Sequence, residues 1–134
     1  GTKEFISQAW RLKQQFGGAM RQSGIMASMC MYALDYHIDR LADDHSLAEF
    51  LGQEIANLAQ VKTVLPVETN IVIFDMKDYA PTASELVELL RAEGFLIGAF
   101  GERRVRVVTH MDVGPTAGTR LMQILSRILG ANEN

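Results

Sequence analysis

The sequence predicts an α+β fold: a helical lead-in followed by a small β-β-α-β-β-α layer. Three observations carry that reading. Apolar residues recur at spacings of three and four through the first part of the chain. β-Branched residues then cluster in "NIVIFDM" and alternate with arginines in "RVRVV". Two further stretches, "PTASELVELLRAEG" and "PTAGTRLMQIL", open with helix-start residues and continue with helical periodicity.

Taken in order, residues 2–15 read as a helix, with Phe5, Ala9, Leu12 and Phe16 on one stripe and Gly17 and Gly18 as its stop. A second helix is expected from near Met20 to about Tyr36. Its middle, "IMASMCMYAL", has no polar face, the pattern of a helix enclosed by other protein. A third helix is expected over 38–59, with Leu41, Ala48, Leu51, Ile55 and Leu58 facing inward. Short strands follow at 61–65 and 70–76. Thr82 and Glu85 then form a capping box, ahead of Ala83, Leu86, Val87 and Leu90, and Gly94 ends that helix. "FLIGAF" and "RVRVVTH" read as strands joined by "GERR", and Pro115 opens a last helix through Ala117, Leu121, Ile124, Leu125 and Ile128. The division expected is residues 1–37, helices leading to protein outside this chain and to a subunit interface, and residues 38–134, a small α+β domain.

Composition bounds the function. The 134 residues are 48% hydrophobic and 22% charged, which is globular and not disordered. A net charge of −3 argues against a general nucleic-acid face. The one cysteine, Cys30, has no internal disulfide partner, so a reducing cytoplasm is expected, with the thiol buried and inert in its apolar run. That run, 25–34, is far short of the roughly 20 residues that span a bilayer, and the polar opening "GTKE" lacks a signal-peptide pattern. The chain opens without a methionine, as a piece of a longer protein would.

Two arginines stand out. Arg21 follows "FGGAM", where Gly17 and Gly18 permit close backbone approach, and it is expected in the first turn of a helix, a place that favours anions. An arginine pairing with a nearby acid, behind glycines that merely end a helix, fits the same spacing. On the last strand, alternation puts Arg104, Arg106 and Val108 on one face and Val105, Val107 and Thr109 on the other. A solvated polar face explains Arg106, and so does a carboxylate clamp. His37, His45 and His110 lack the four-residue spacing of helical metal ligands, so no metal is expected, and Asp44 and His45 read as helix bracing. Met20, Met26, Met29 and Met31 suggest an adaptable packing surface, core or interface.

The stretch "GGAMRQSGIMASMCMYALDYHIDRLADDHSLA", with "ETNIVIFDM" and "RVRVVTHMDV" in the same order, resembles the low-specificity L-threonine aldolases. Those enzymes typically read G-G-G-M-R-Q-S/A-G, an apolar helix ending Y-A-L, R-L-x-E-D-H, and V-R-x-V-T-H-x-D-V. The resemblance covers nearly the whole chain. It implies the C-terminal small domain of a fold-type-I enzyme dependent on pyridoxal 5′-phosphate, cleaving threonine-like β-hydroxy amino acids to glycine and an aldehyde. It also implies a homo-oligomer, a tetramer in the usual case, completed by a large domain. Carried residue by residue, Arg106 matches the arginine that binds the substrate carboxylate, and Arg21 matches one that reaches the cofactor phosphate, with Gly17 and Gly18 as its supporting loop.

Departures are specific. Ala19 replaces the third glycine, Gln14 stands where relatives have a basic residue, Ser28, Met29 and Cys30 replace small alanines, and Leu47 replaces an asparagine. None of Lys3, Lys13, Lys62 and Lys77 has the context of the family's Schiff-base lysine, so no catalytic residue is assigned to this chain. Two other readings remain open: a β-eliminating lyase using the same cofactor, and a non-catalytic binding or oligomerisation module.

Overall fold

The structure, a computed structural model, describes residues 1–130. The chain forms two compact units, Gly1–Ile38 and a second from Asp39 onward.

The first unit holds two helices, α1 (Lys3–Gln15) and α2 (Ser23–Tyr36). Thr2 caps α1, its hydroxyl oxygen accepting from the Phe5 N–H at 3.2 Å, which fixes where that helix begins. Gly17 ends it at φ +72°, a left-handed turn that a side chain resists. Helix α2 begins at Ser23, later than expected. The cause is Gln22, whose φ of 52° and ψ of 35° break the right-handed path before Ser23. No residue of either helix is buried, and the Cys30 thiol expected inside is exposed.

The second unit contains α3 (Leu41–Ala56), β1 (Val61–Val64), β2 (Ile71–Met76), α4 (Ala83–Ala92), β3 (Gly98–Ala99), β4 (Arg104–Val108) and α5 (Pro115–Leu129). Helix α3 is shorter than 38–59 at both ends. Three-residue turns on the Asp39 and Arg40 carbonyls precede it, and Ala59 and Gln60 give their N–H groups to Gly130 and Leu129 at the end of α5. Asp44 does brace its first turn, held by Arg40 at 2.7 Å.

The strands form one antiparallel sheet in the order β1-β2-β4-β3. Val72, Phe74 and Met76 of β2 and Val105 and Val107 of β4 face a single core with Leu47, Leu51, Ile55, Leu86, Leu90, Leu121, Leu125 and Leu129 of the helices. Burying each such side chain stabilises by about 1.5–3 kcal/mol. Alternation leaves Ile71, Ile73, Asp75, Arg104, Arg106 and Val108 on the opposite face. Helix α5 comes close to α3 at Gly118, where an added Cβ would lie 2.7 Å from Leu47 Cδ1. Leu47 is therefore a packing residue between α3 and α5.

The capping box forms as expected: the Thr82 N–H donates to Glu85 Oε2 at 2.7 Å, and the Glu85 N–H donates to Thr82 Oγ1 at 3.3 Å. Gly94, at φ +87°, lets the chain turn back, so that the Phe95 N–H reaches the Leu90 carbonyl at 2.9 Å. The strand expected over 95–100 shrinks to two residues in consequence, because Phe95 and Ile97 pack down on the core.

Thr82→Ala should lower the unfolding free energy by about 1 kcal/mol in urea titration with the slope unchanged. An unaltered midpoint would mean that α4 is held by its apolar face alone.

Candidate functional site

In the first unit, Gly17, Gly18 and Arg21 lie in the turn between α1 and α2. Arg21 precedes the helix instead of sitting in its first turn, displaced by the left-handed Gln22. Its side chain is exposed and makes no ion pair or hydrogen bond among the described residues. Gln22 supplies no side-chain cap, so the first amides of α2 lack that partner. A Cβ on Gly17 would meet nothing within 4 Å, so the space beside the turn is open. Lys13, which stands beside Gln14, lies with its ammonium 4.5 Å above the Trp10 ring. A free guanidinium beside uncapped helix amides is a donor set that fits a phosphate.

In the second unit, the β2–β4 register separates the two strand arginines. Asp75 is the cross-strand partner of Arg104, and Ile73 that of Arg106. Arg104 grips both oxygens of Asp75, Nε to Oδ1 at 2.7 Å and Nη2 to Oδ2 at 2.8 Å. That fork holds the Asp75 carboxyl below the usual carboxylate range, chiefly through the hydrogen bonds, and raises Arg104. Arg106 has no carboxylate partner among the described residues. It stands opposite Gly98 of β3, and its guanidinium lies over the Phe100 ring at 5.5 Å from the centroid. An unpaired, exposed guanidinium on a face shared with Ile73 and Val108 can take a carboxylate in a bidentate fork.

The end of β4 is tied down just past Arg106. The buried Thr109 hydroxyl donates to the Asp44 carbonyl at 2.7 Å, the Thr109 N–H donates to the Asn70 carbonyl at 2.9 Å, and Asn70 Nδ2 donates back to the Thr109 carbonyl at 2.7 Å. This clamp joins the "TN", "DD" and "VTH" segments, which the sequence shows only as separate words. Asp75 and Thr109 carried no signal in one dimension, since their partners Arg104 and Asp44 lie far away in the chain, and Phe100 meets Arg106 only across the turn from β3 to β4. Among the described residues no three of His, Cys, Asp and Glu converge as a metal site would require. Arg40, Asp44, Phe50, Met111 and Pro115 line a cleft of about 660 Å³, and Arg106 is not among its walls.

A family model described as beta-eliminating lyase matches residues 1–79, more than half of the chain. The chain belongs to the beta-eliminating lyase family. Within that family it is 30% identical over 115 residues to low-specificity L-threonine aldolase 1 of Arabidopsis thaliana, covering 84% of this chain and 32% of that protein. It is 34% identical over 113 residues to the low specificity L-threonine aldolase of Escherichia coli O157:H7, again 84% of this chain and 32% of the relative. The chain thus spans about a third of the length of these relatives. Among solved structures, an ornithine aminotransferase of Plasmodium yoelii superposes with a TM-score of 0.61 at 16% identity, over 77% of this chain and 29% of the other. At that identity the likeness is one of fold, and it agrees with the fold-type-I small domain expected from the sequence. The beta-eliminating lyase family and the threonine aldolase relatives imply pyridoxal phosphate as the cofactor. No helix among the described residues is long and apolar enough to cross a membrane.

Two predictions follow from this geometry. Thr109→Val should destabilise by about 1–3 kcal/mol in urea titration, because the Asp44 carbonyl loses its buried donor. For Asp75 the folded-state pKa is depressed, so the stability it adds is present above the unfolded carboxylate value and disappears as pH falls through the folded one. The melting-temperature gap between wild type and Asp75→Asn should be small but measurable near neutrality, given the pair's partial exposure, and should close on acidification. A gap that persists at the acid end would mean the carboxylate charge is not its source.

Proposed function

We propose that this chain is part of a pyridoxal-phosphate-dependent aldolase that cleaves L-threonine, L-allo-threonine and similar β-hydroxy amino acids to glycine and an aldehyde. The observation that carries the reading is Arg106: of the two arginines on one strand face, it alone is left without a carboxylate. Kinship with aldolases at 30–34% identity supports the choice of reaction.

In this reading Arg106 binds the substrate carboxylate through a bidentate fork and so fixes the orientation of the α-carbon. Clamping one end of a small substrate restricts which bond at that carbon stands ready to break. Arg21, with Gly17 and Gly18 leaving the turn open, binds the cofactor phosphate together with the first amides of α2. Bound pyridoxal phosphate supplies the electron sink for charge left on the α-carbon when its bond to the β-carbon breaks. The residues that hold the cofactor covalently and move protons come from protein outside this chain. Residues 1–37 join that protein and lie at a subunit boundary of a cytoplasmic homotetramer. The exposure of Phe16, Met20, Ile25, Met29 and Leu34 supports such a covered role, and weighs against a self-sufficient binding module.

A β-eliminating lyase is the second reading, favoured by the family description itself. Products separate the two: glycine and an aldehyde for the aldolase, ammonia and a keto acid for the eliminating enzyme.

In the complete enzyme, Arg106→Ala should raise KM for L-threonine roughly tenfold or more while the cofactor's absorbance stays normal. An unchanged KM would remove Arg106 from the substrate. Arg21→Ala should raise the pyridoxal phosphate concentration needed for half-saturation about tenfold, with KM for threonine nearly unchanged once the cofactor saturates. Unaltered cofactor affinity would sink the phosphate role.

A further inference from the structure

We propose that Phe100 is the positioning residue of the Arg106 clamp. The inference rests on the reading of Arg106 as the carboxylate-binding arginine, and adds to it how the guanidinium is held ready. On an antiparallel sheet a long side chain reaches its diagonal neighbours as well as its direct partner. Asp75 lies diagonal to Arg106 and would draw it inward, but both carboxylate oxygens of Asp75 are taken by Arg104. Arg106 instead turns towards β3, where its direct partner is Gly98. An added Cβ there would sit 3.9 Å from the Arg106 Nε and 4.0 Å from its Nη2, so the guanidinium lies across a bare stretch of backbone. Beyond that gap stands the Phe100 ring, 5.5 Å from the guanidinium carbon.

Phe100 is built for this place and for nothing in the core. Its ring is 62% exposed, while its N–H donates to the Arg104 carbonyl at 2.8 Å and closes the turn to β4. Gly101, at φ +143°, completes that turn with a backbone that other residues rarely adopt. The ring is therefore anchored from its own backbone and is free to carry a cation on its face. Arginine is weakly hydrated and stacks on aromatic rings, and the attraction leaves its N–H edge available to a carboxylate. A free arginine loses much rotamer freedom when it binds, and one already laid on a ring loses less. The ring also gives the site an apolar wall beside the clamp.

The test is made in the complete enzyme with Phe100→Leu, which keeps apolar bulk, and Phe100→Tyr, which keeps the ring. KM for L-threonine and the calorimetric Kd of glycine should both rise roughly three- to tenfold in the leucine variant. The turnover number should stay within about twofold, and the tyrosine variant should behave as wild type. In an Arg106→Ala background the leucine change should add nothing. Urea midpoints should match, since the ring lies outside the core. If Arg106→Ala weakens glycine and threonine binding but Phe100→Leu does not, the positioning role is overturned and the clamp stands. A leucine effect that persists at full size without Arg106 overturns it too. If Arg106→Ala leaves both constants unchanged, the clamp reading itself has failed.

Discussion

The pairing of β2 with β4 is the constraint on which the second unit depends, because one register fixes two faces at once. Asp75 against Arg104 and Ile73 against Arg106 put Val72, Phe74, Val105 and Val107 together on the core side. A slip of β4 by one residue would turn Val105 and Val107 outward and drive Arg104 and Arg106 into the core. The cost of that error, two buried valines lost and two charges desolvated, holds the register far more firmly than the partly exposed ion pair does. The ion pair's consequence is selective instead. By occupying Asp75 it decides which of two chemically identical side chains remains available.

The first unit poses the opposite problem. Helix α2 carries isoleucine, methionine, leucine and tyrosine around its circumference, so no single neighbouring surface would cover it. Helix α1 differs: Phe5 and Leu12, with Phe16 just past its end, form one stripe beside charges, and Trp10, off that stripe, already carries Lys13. The two helices therefore need different surroundings, α1 a partner on one stripe and α2 enclosure on several sides. The turn between them, with Gly17 and Gln22 both left-handed, sets the position of Arg21 independently of either burial.

Much of this was legible in the sequence where the signal is local. Strand alternation around Arg106, the Thr82–Glu85 capping box and the stop at Gly94 each involve residues within one or two turns, and each forms as expected. What failed was local structure decided by backbone angles that no side chain announces. Gln22 in a left-handed conformation has no compositional mark, so α2 began late and Arg21 fell outside it. The strand over 95–100 was lost to tertiary packing of Phe95 and Ile97, which apolar pattern alone reads equally well as strand. The Thr109–Asp44 bond, the Asp75–Arg104 fork and the Gly118–Leu47 contact join residues far apart in the chain. The resemblance to aldolases pointed to Arg21 and Arg106. It could not say that Arg104, two residues away on the same face, is already spent.

A carboxylate clamp is blind to the bond that is broken. Every α-amino acid presents the same group, so in our reading Arg106 on the open face of this sheet would serve an aldolase or an eliminating lyase equally. The aminotransferase, at 16% identity, shares the fold alone, while sequence kinship at 30–34% runs to the aldolases. The family model covers residues 1–79, with "GGAMRQSG" and the apolar helix behind it, and the aldolase matches, over 84% of the chain, take in the β4 strand as well. In our reading, reaction choice is then a matter for the groups around the cofactor, which Arg21 approaches, and substrate capture a matter for the sheet. Phe100 belongs to the second of these. Changing it should move affinity for amino acids as a class and leave the identity of the products alone.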